Sequence, residues 1–244
     1  MCGRFTLRAD GDALRAHFRL PAAPAGLAAR YNIAPSQVIP VVRWDPVAGR
    51  PELVMQRWGL VPAWMRKKNA RESPAPAPQP DIAAPERRRA ALTSGLINAR
   101  AESLTEKPAF RDAFRHRRCL IPADGFYEWT PAPGGGKQPW FIHQAGDRLF
   151  ALAGLWEPGA GPDPETCTIV TRPPLPELAA IHDRMPAILA ESDYDGWLGA
   201  ESRDRDALLA ILARAAPAGL ESFPVSRAVN SAAADSPACL QPAP

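Results

Sequence analysis

Six short runs rich in Val, Ile, Leu, Phe or Trp occupy the middle of the chain, at residues 37–44, 52–58, 118–129, 140–143, 149–155 and 166–171. Most are bounded by Pro, Gly or Asp, residues that end strand pairing, so the pattern predicts β-strands. The longest run is expected to bend at Pro122 or Gly125. Helical spacing is confined to residues 10–18 and 107–115 and to a pair at 192–198 and 202–215, the last opened by Ser202 and rich in Ala and Leu. Residues 131–136 have the Pro/Gly content of a hairpin tip. Many short strands beside few helices specify an α+β fold, expected as one domain on a largely antiparallel, barrel-like sheet with flanking helices.

A chain of 244 residues can bury most of the surface it exposes when unfolded. No stretch approaches the roughly 18 apolar residues of a spanning helix. The first dozen residues carry Arg4, Arg8, Asp10 and Asp12 in place of an apolar leader, so a cytoplasmic location is expected. Cys2, Cys119, Cys167 and Cys239 form no Cys-x-x-Cys, which predicts reduced thiols and neither a disulfide framework nor a metal site. No metal or organic cofactor is indicated.

Residues 73–85 are low-complexity and proline-rich, unsuited to a sheet or to a helix interior. They are read as part of an insertion at about 70–92 within a domain spanning residues 1–230, followed by a loosely held tail at 231–244. The formal charge of +3 is compatible with a nucleic-acid partner and does not require one. Basic residues gather at 66–68, at 87–89 and along 111–118, runs that equally suit a solvated face.

Removal of Met1 beside a small second residue would leave Cys2 with an α-amine and a thiol on neighbouring carbons. Both groups are partly deprotonated near neutrality, with ordinary pKa values of about 7.7–8.0 and about 8.5. Such a 1,2-aminothiol suits carbonyls: the amine condenses to an imine, and the thiol then closes a thiazolidine ring. Taken alone, most second-position cysteines are incidental.

If Ile97-Asn98-Ala99-Arg100-Ala101-Glu102 is a strand, its period of two puts Asn98, Arg100 and Glu102 on one face. Asn98 could orient a nucleophile and Arg100 could grip a phosphate, or Arg100 and Glu102 form an exposed pair. Glu128, inside the aromatic run Phe126-Tyr127-Glu128-Trp129, would be kept partly protonated by burial and so suited to general acid work, or it is a satisfied structural carboxylate. His182, in His182-Asp183-Arg184-Met185-Pro186, has an unperturbed pKa near 6.5 that permits proton transfer, or it is structural. Trp58 and Trp64 flank a Gly/Pro turn just before the basic Arg66-Lys67-Lys68. Core packing is the usual fate of an indole and fits Trp58, whereas Trp64, beyond the turn, is placed to stack on a base.

Taken in order, Met1-Cys2-Gly3-Arg4-Phe5, Tyr31-Asn32-Ile33-Ala34-Pro35, Trp58-Gly59-Leu60-Val61-Pro62-Ala63-Trp64, Asn98-Ala99-Arg100-Ala101-Glu102, Pro122-Ala123-Asp124-Gly125-Phe126-Tyr127-Glu128-Trp129, His182-Asp183-Arg184-Met185-Pro186 and Val225-Ser226-Arg227-Ala228-Val229-Asn230 resemble the SOS-response-associated peptidase family of abasic-site processing proteins. A monomer is expected, since chemistry at one amino terminus needs no more, in a cytoplasmic, nucleoid-associated location. The resemblance implies a protein that would bind single-stranded DNA and trap the ring-opened aldehyde of an abasic site as a thiazolidine on Cys2. By the same match, Asn98 positions the nucleophile and Glu128 and His182 move protons. Arg4, Arg100 and Arg184 meet phosphates, and Pro35 and Trp64 crowd the duplex side of the lesion or stack on a base. Asn32, Trp58 and Thr171 complete the DNA-binding set. Weak lyase activity follows from the imine. Two departures stand out: the proline-rich stretch is long for its place between Trp64 and Asn98, and Thr171-Arg172-Pro173-Pro174 breaks the small-polar pattern before the histidine motif.

Two other classes compete. In an N-terminal-nucleophile cysteine peptidase or amidohydrolase, Cys2 attacks an amide with its own α-amine as base. In a non-catalytic DNA-binding module Cys2 is incidental.

Overall fold

Thirteen strands are distributed over two sheets in the structure, a computed structural model that describes residues 2–65, 95–132, 134–199, 204–217 and 219–243. The smaller sheet contains β1 (Arg4–Leu7), β2 (Arg30–Ile33), β7 (Gly125–Pro131), β8 (Lys137–Gln144) and β13 (Leu220–Pro224), in the order β13-β8-β7-β1-β2. Every neighbour in it is antiparallel. The larger contains β3 (Val38–Asp45), β4 (Arg50–Trp58), β5 (Asn98–Arg100), β6 (Arg118–Ala123), β9 (Phe150–Glu157), β10 (Thr166–Arg172), β11 (Met185–Pro186) and β12 (Ile188–Leu189). Here β10 pairs with both β4 and β9, so β10-β4-β3-β6-β9 close into a barrel-like ring. The pairings of β10 with β4 and with β5 are parallel and the rest antiparallel. The α+β class and the largely antiparallel, barrel-like sheet expected from the sequence are both present.

Four helices that lie wholly among the described residues flank the sheets: α1 (Gly11–Phe18), α2 (Pro108–His116), α3 (Tyr194–Leu198) and α4 (Arg205–Arg214). Asp10 caps α1, its carboxylate accepting from the backbone N–H of Ala13 at 2.9 Å. Asp204 caps α4 in the same way. Ser202, the expected start of that helix, lies outside the described residues. Leu14 and Phe18 of α1 and Phe110, Ala113 and Phe114 of α2 are buried in one core cluster with Phe5, Trp58, Ile121, Leu152 and Ile169.

The run 118–129 does not merely bend; it changes sheets. β6 ends at Ala123 and β7 begins at Gly125, with the buried Asp124 between them accepting from Thr6 Oγ1 at 2.5 Å and from Arg8 Nε at 3.0 Å. Gly125 is required by close approach, since a Cβ there would stand 2.2 Å from the Phe141 ring.

The end of the chain departs from expectation. Instead of a loose tail, the carboxylate of Asp235 accepts the backbone N–H groups of Tyr31 at 2.6 Å and Asn32 at 2.9 Å. Ser226 and Ala243 donate backbone bonds to Gln241 and Pro224, and Cys239 is buried. The physical reason is the sheet edge: β2 is terminal in its sheet, and Asp235 satisfies donors that no neighbouring strand would meet. The proline-rich insertion expected at about 70–92, with the basic clusters at 66–68 and 87–89, lies outside the described residues. All four cysteines are free, buried thiols. No helix among the described residues is long and apolar enough to cross a membrane.

Candidate active site at the amino terminus

β1 pairs with β7 so that Arg4 faces Tyr127 and Phe5 faces Phe126. Because the pairing is antiparallel, residues preceding Arg4 run back alongside Glu128. Cys2 is fully buried there, and its sulfur lies 3.9 Å from the carbonyl oxygen of Arg4. Burial pushes the thiol well above its ordinary range, and the nearby Glu128 raises it further. The sulfur is therefore held as S–H at neutral pH.

Asn98 opens β5, aligned on Ile169 of β10. Its side-chain amide donates to the carbonyl oxygen of Cys2 at 2.8 Å, which ties the amino terminus to the ring. The other end of the amide, Oδ1, is buried and has no hydrogen-bond partner among the described residues. An orphaned acceptor beside Cys2 is suited to an N–H donor that arrives during a reaction.

Glu128 sits on β7 with 2% of its surface exposed, and burial pushes its carboxyl up to about 7, partly offset by the positive amino terminus. His182 Nε2 lies 3.7 Å from Glu128 Oε2. His182 is lowered below its ordinary value, first by burial and then by the amino-terminal charge. Its Nδ1 accepts the backbone N–H of Arg184 at 3.0 Å and lies 2.8 Å from Asp183 Oδ1. Near neutral pH the pair is thus a carboxyl that is half protonated beside an imidazole that is largely neutral, an arrangement able to give and to take a proton.

The remaining expected site residues divide by exposure. Arg100 is exposed and has no ion-pair partner among the described residues, Trp64 is half-exposed at 51%, and Pro35 is partly exposed between β2 and β3. Asn32, Trp58 and Thr171 are fully buried. The amide of Asn32 donates to the carbonyls of Val229, Ser231 and Ala234, and the Trp58 indole donates to the Ile97 carbonyl at 2.8 Å. Arg4 Nη1 is taken up by Asn32 Oδ1 at 2.9 Å and the Val229 carbonyl at 2.8 Å. Arg184 forms a two-pronged pair with Glu102, so the exposed Arg100–Glu102 pair considered from the sequence is replaced by a longer-range one. Strand β5 stops at Arg100 and residues 101–103 form a 3₁₀ turn, which swings Glu102 out of the strand's alternation. Asp183, beside His182, was not singled out by the pattern of residue types, although it directly follows the histidine.

A sequence model of the family described as SOS response associated peptidase (SRAP) matches residues 1–232. The chain is 36% identical over 246 residues to the abasic site processing protein YoqW of Bacillus subtilis (strain 168), with 99% of each chain covered. It is 33% identical over 244 residues to the abasic site processing protein HMCES of Gallus gallus, covering 87% of this chain and 66% of that one. A crystal structure of a protein from Bacteroides thetaiotaomicron shares the fold with a TM-score of 0.72 at 22% identity, both chains being covered in full. A second, from Bordetella bronchiseptica, gives 0.67 at 26% identity over 92% of this chain and 100% of that one.

Proposed function

The chain belongs to the SOS response associated peptidase (SRAP) family, and from that premise we propose that it processes abasic sites in single-stranded DNA by covalent capture on Cys2. The observation that carries this reading is the company kept by Cys2: an un-ionised buried thiol, an asparagine fastened to its carbonyl, and a carboxyl with a pKa of about 7 beside an imidazole.

With Met1 removed, the α-amine of Cys2 is the first nucleophile. Protonated Glu128 delivers its proton to the sugar ring oxygen, which opens the abasic deoxyribose to its aldehyde. The hydroxyl proton released in that step passes to solvent water, while the Nε2–H of neutral His182 faces the Glu128 carboxylate so formed. The amine nitrogen bonds to the aldehyde carbon, and the aldehyde oxygen leaves as water with the two amine hydrogens, giving the imine. The thiol sulfur then bonds to the imine carbon while its proton passes by way of Glu128 carboxylate to the nitrogen. The product is a thiazolidine, a protein–DNA crosslink. Asn98 Oδ1 accepts from the amine and holds its lone pair on the aldehyde. Elimination from the imine, before sulfur closes the ring, would give weak lyase activity.

Arg100 and Trp64, both exposed, would meet a phosphate and stack on a base, with Pro35 as a wedge on the duplex side. Asn32, Trp58 and Thr171 would shape the groove from inside, and Arg4 and Arg184 would frame it. A monomer acting in the cytoplasm on the nucleoid suffices for chemistry at one amino terminus. The peptidase alternative calls for a thiolate nucleophile, which burial of the Cys2 sulfur opposes.

Denaturing electrophoresis with a single-stranded oligonucleotide carrying one abasic site tests the proposal, beside an intact strand and the Cys2→Ser variant. The expected result is a heat-stable shifted band with the abasic strand alone, labile or lost in the variant. No band from protein whose Met1 is absent by mass spectrometry would overturn it.

A further inference from the structure

Two of the groups around Cys2 come from short elements. Asn98 lies on a three-residue strand which, among the described residues, pairs with β10 alone. His182 lies in a turn followed by the two-residue β11. Among the described residues an ion pair joins these two segments side chain to side chain. Arg184 Nη1 reaches Glu102 Oε1 at 2.6 Å, Arg184 Nη2 reaches Glu102 Oε2 at 2.9 Å, and Nη2 also donates to the Thr171 carbonyl on β10 at 2.7 Å.

We propose that Glu102 is a positioning residue for this site: through Arg184 it clamps the segment carrying Asn98 against the segment carrying His182. The inference rests on the capture reading for its activity readout. Glu102 follows Asn98 by four residues along a strand that runs directly into its 3₁₀ turn, and Arg184 follows His182 by two. A shift of either partner therefore moves a catalytic side chain with it. The Arg184 side chain is only 10% exposed, and its two terminal nitrogens are both committed to Glu102. A phosphate could take that fork only by displacing the carboxylate, so the pair serves as a strut. Bidentate geometry is what makes it one, because two parallel bonds fix orientation as well as distance. The Arg184 hydrogen bonds also hold the Glu102 carboxyl below its ordinary value, so the strut keeps its charge as the medium is acidified.

The test uses the full-length protein and Glu102→Ala, with Glu102→Gln as the conservative variant that retains one acceptor. Capture of an abasic strand is measured at saturating DNA, affinity is measured with an intact strand of the same sequence, and backbone hydrogen exchange is followed at residues 97–103 and 181–186. Expected for Glu102→Ala are a capture rate lowered roughly tenfold or more, an affinity for intact strand that is unchanged or tighter, and faster exchange in both segments. Glu102→Gln should fall between. The thermal midpoint should move little, since Glu102 is half-exposed and solvent screens its ion pair. An unchanged capture rate, or a rate loss matched by an equal loss of affinity, would overturn the clamp. If the wild-type protein captures nothing, the capture reading fails by itself. The exchange measurement then decides: acceleration in both segments supports the clamp, and unchanged exchange refutes it.

Discussion

The side-chain amide of Asn98 holds the main-chain carbonyl of Cys2 at 2.8 Å while its own oxygen, buried, has no partner among the described residues. One side chain thereby restrains the nucleophilic residue and presents an acceptor to it. Asn98→Ala is expected to slow capture about 10- to 100-fold through lost orientation. Asn98→Asp keeps an acceptor and discards the donor, so it should be as slow or slower, a carboxylate facing the Cys2 carbonyl being repulsive. Single-turnover rates of crosslink formation measure both, and a rate in Asn98→Ala within twofold of wild type would refute the role.

Capture should show a bell-shaped dependence on pH. The acid, Glu128, loses its proton as pH rises through about 7. The α-amine becomes a free base only as pH rises toward about 8. The rate is therefore greatest between these values and falls on both sides. In Glu128→Gln the alkaline decline should vanish and the maximum should drop by about 10²- to 10⁴-fold. A pH–rate profile of the two proteins checks this.

Glu128 also makes the fold sensitive to pH in the sense opposite to a salt-bridged carboxylate. Its pKa rises from an ordinary 4.5 to about 7 in the fold, so the native state binds more protons than the unfolded chain between those values. Stability contributed by this group is intact below about 4.5, declines through that interval, and stays reduced above 7. Glu128→Gln should match wild type at about pH 4 and exceed it at about pH 8 by on the order of 3 kcal/mol. Urea denaturation at the two pH values is the measurement, and a difference independent of pH would contradict the assignment.

Asp235→Ala should unfasten the end of the chain from β2. The substitution strands two backbone donors at a sheet edge and frees Arg30 from its carboxylate. A loss of about 1–3 kcal/mol is expected. Limited proteolysis should show new cleavage after residue 224 in the variant, and an unchanged digestion pattern would show that the segment is held elsewhere.

The sheet was legible where side chains carried it. The apolar runs 37–44, 52–58, 140–143, 149–155 and 166–171 each coincide with a strand, because buried strands must be rich in such residues. β1, β2 and β13 were not legible. Their sequences, RFTL, RYNI and LESFP, are too short and too polar to show a period, and they pair through contacts with distant residues. At the site, the residue types of Cys2, Glu128 and His182 drew notice for their chemistry, and the aromatic neighbours of Glu128 signalled its burial. What no local pattern could show is that Glu102 would reach past Arg100 to Arg184, a partner 82 positions away. The same holds for Asp235, whose two backbone partners lie on the strand at 30–33, more than 200 positions earlier.

A single strand seals the ring. β10 touches β4, β5 and β9, and until it docks β5 has no neighbour to lie on and the His182 turn has no anchor. Contacts that distant in sequence are costly to form and come slowly. Until β10 docks, a chain that has lost Met1 would carry its aminothiol without the shelter of the Asn98 and His182 segments. Glu128 comes to Cys2 with the pairing of β1 and β7, whereas Asn98 and His182 reach the site only once β10 has docked. On the capture reading, a variant in which β10 is weakened should lose crosslinking while most of its strands are still in place.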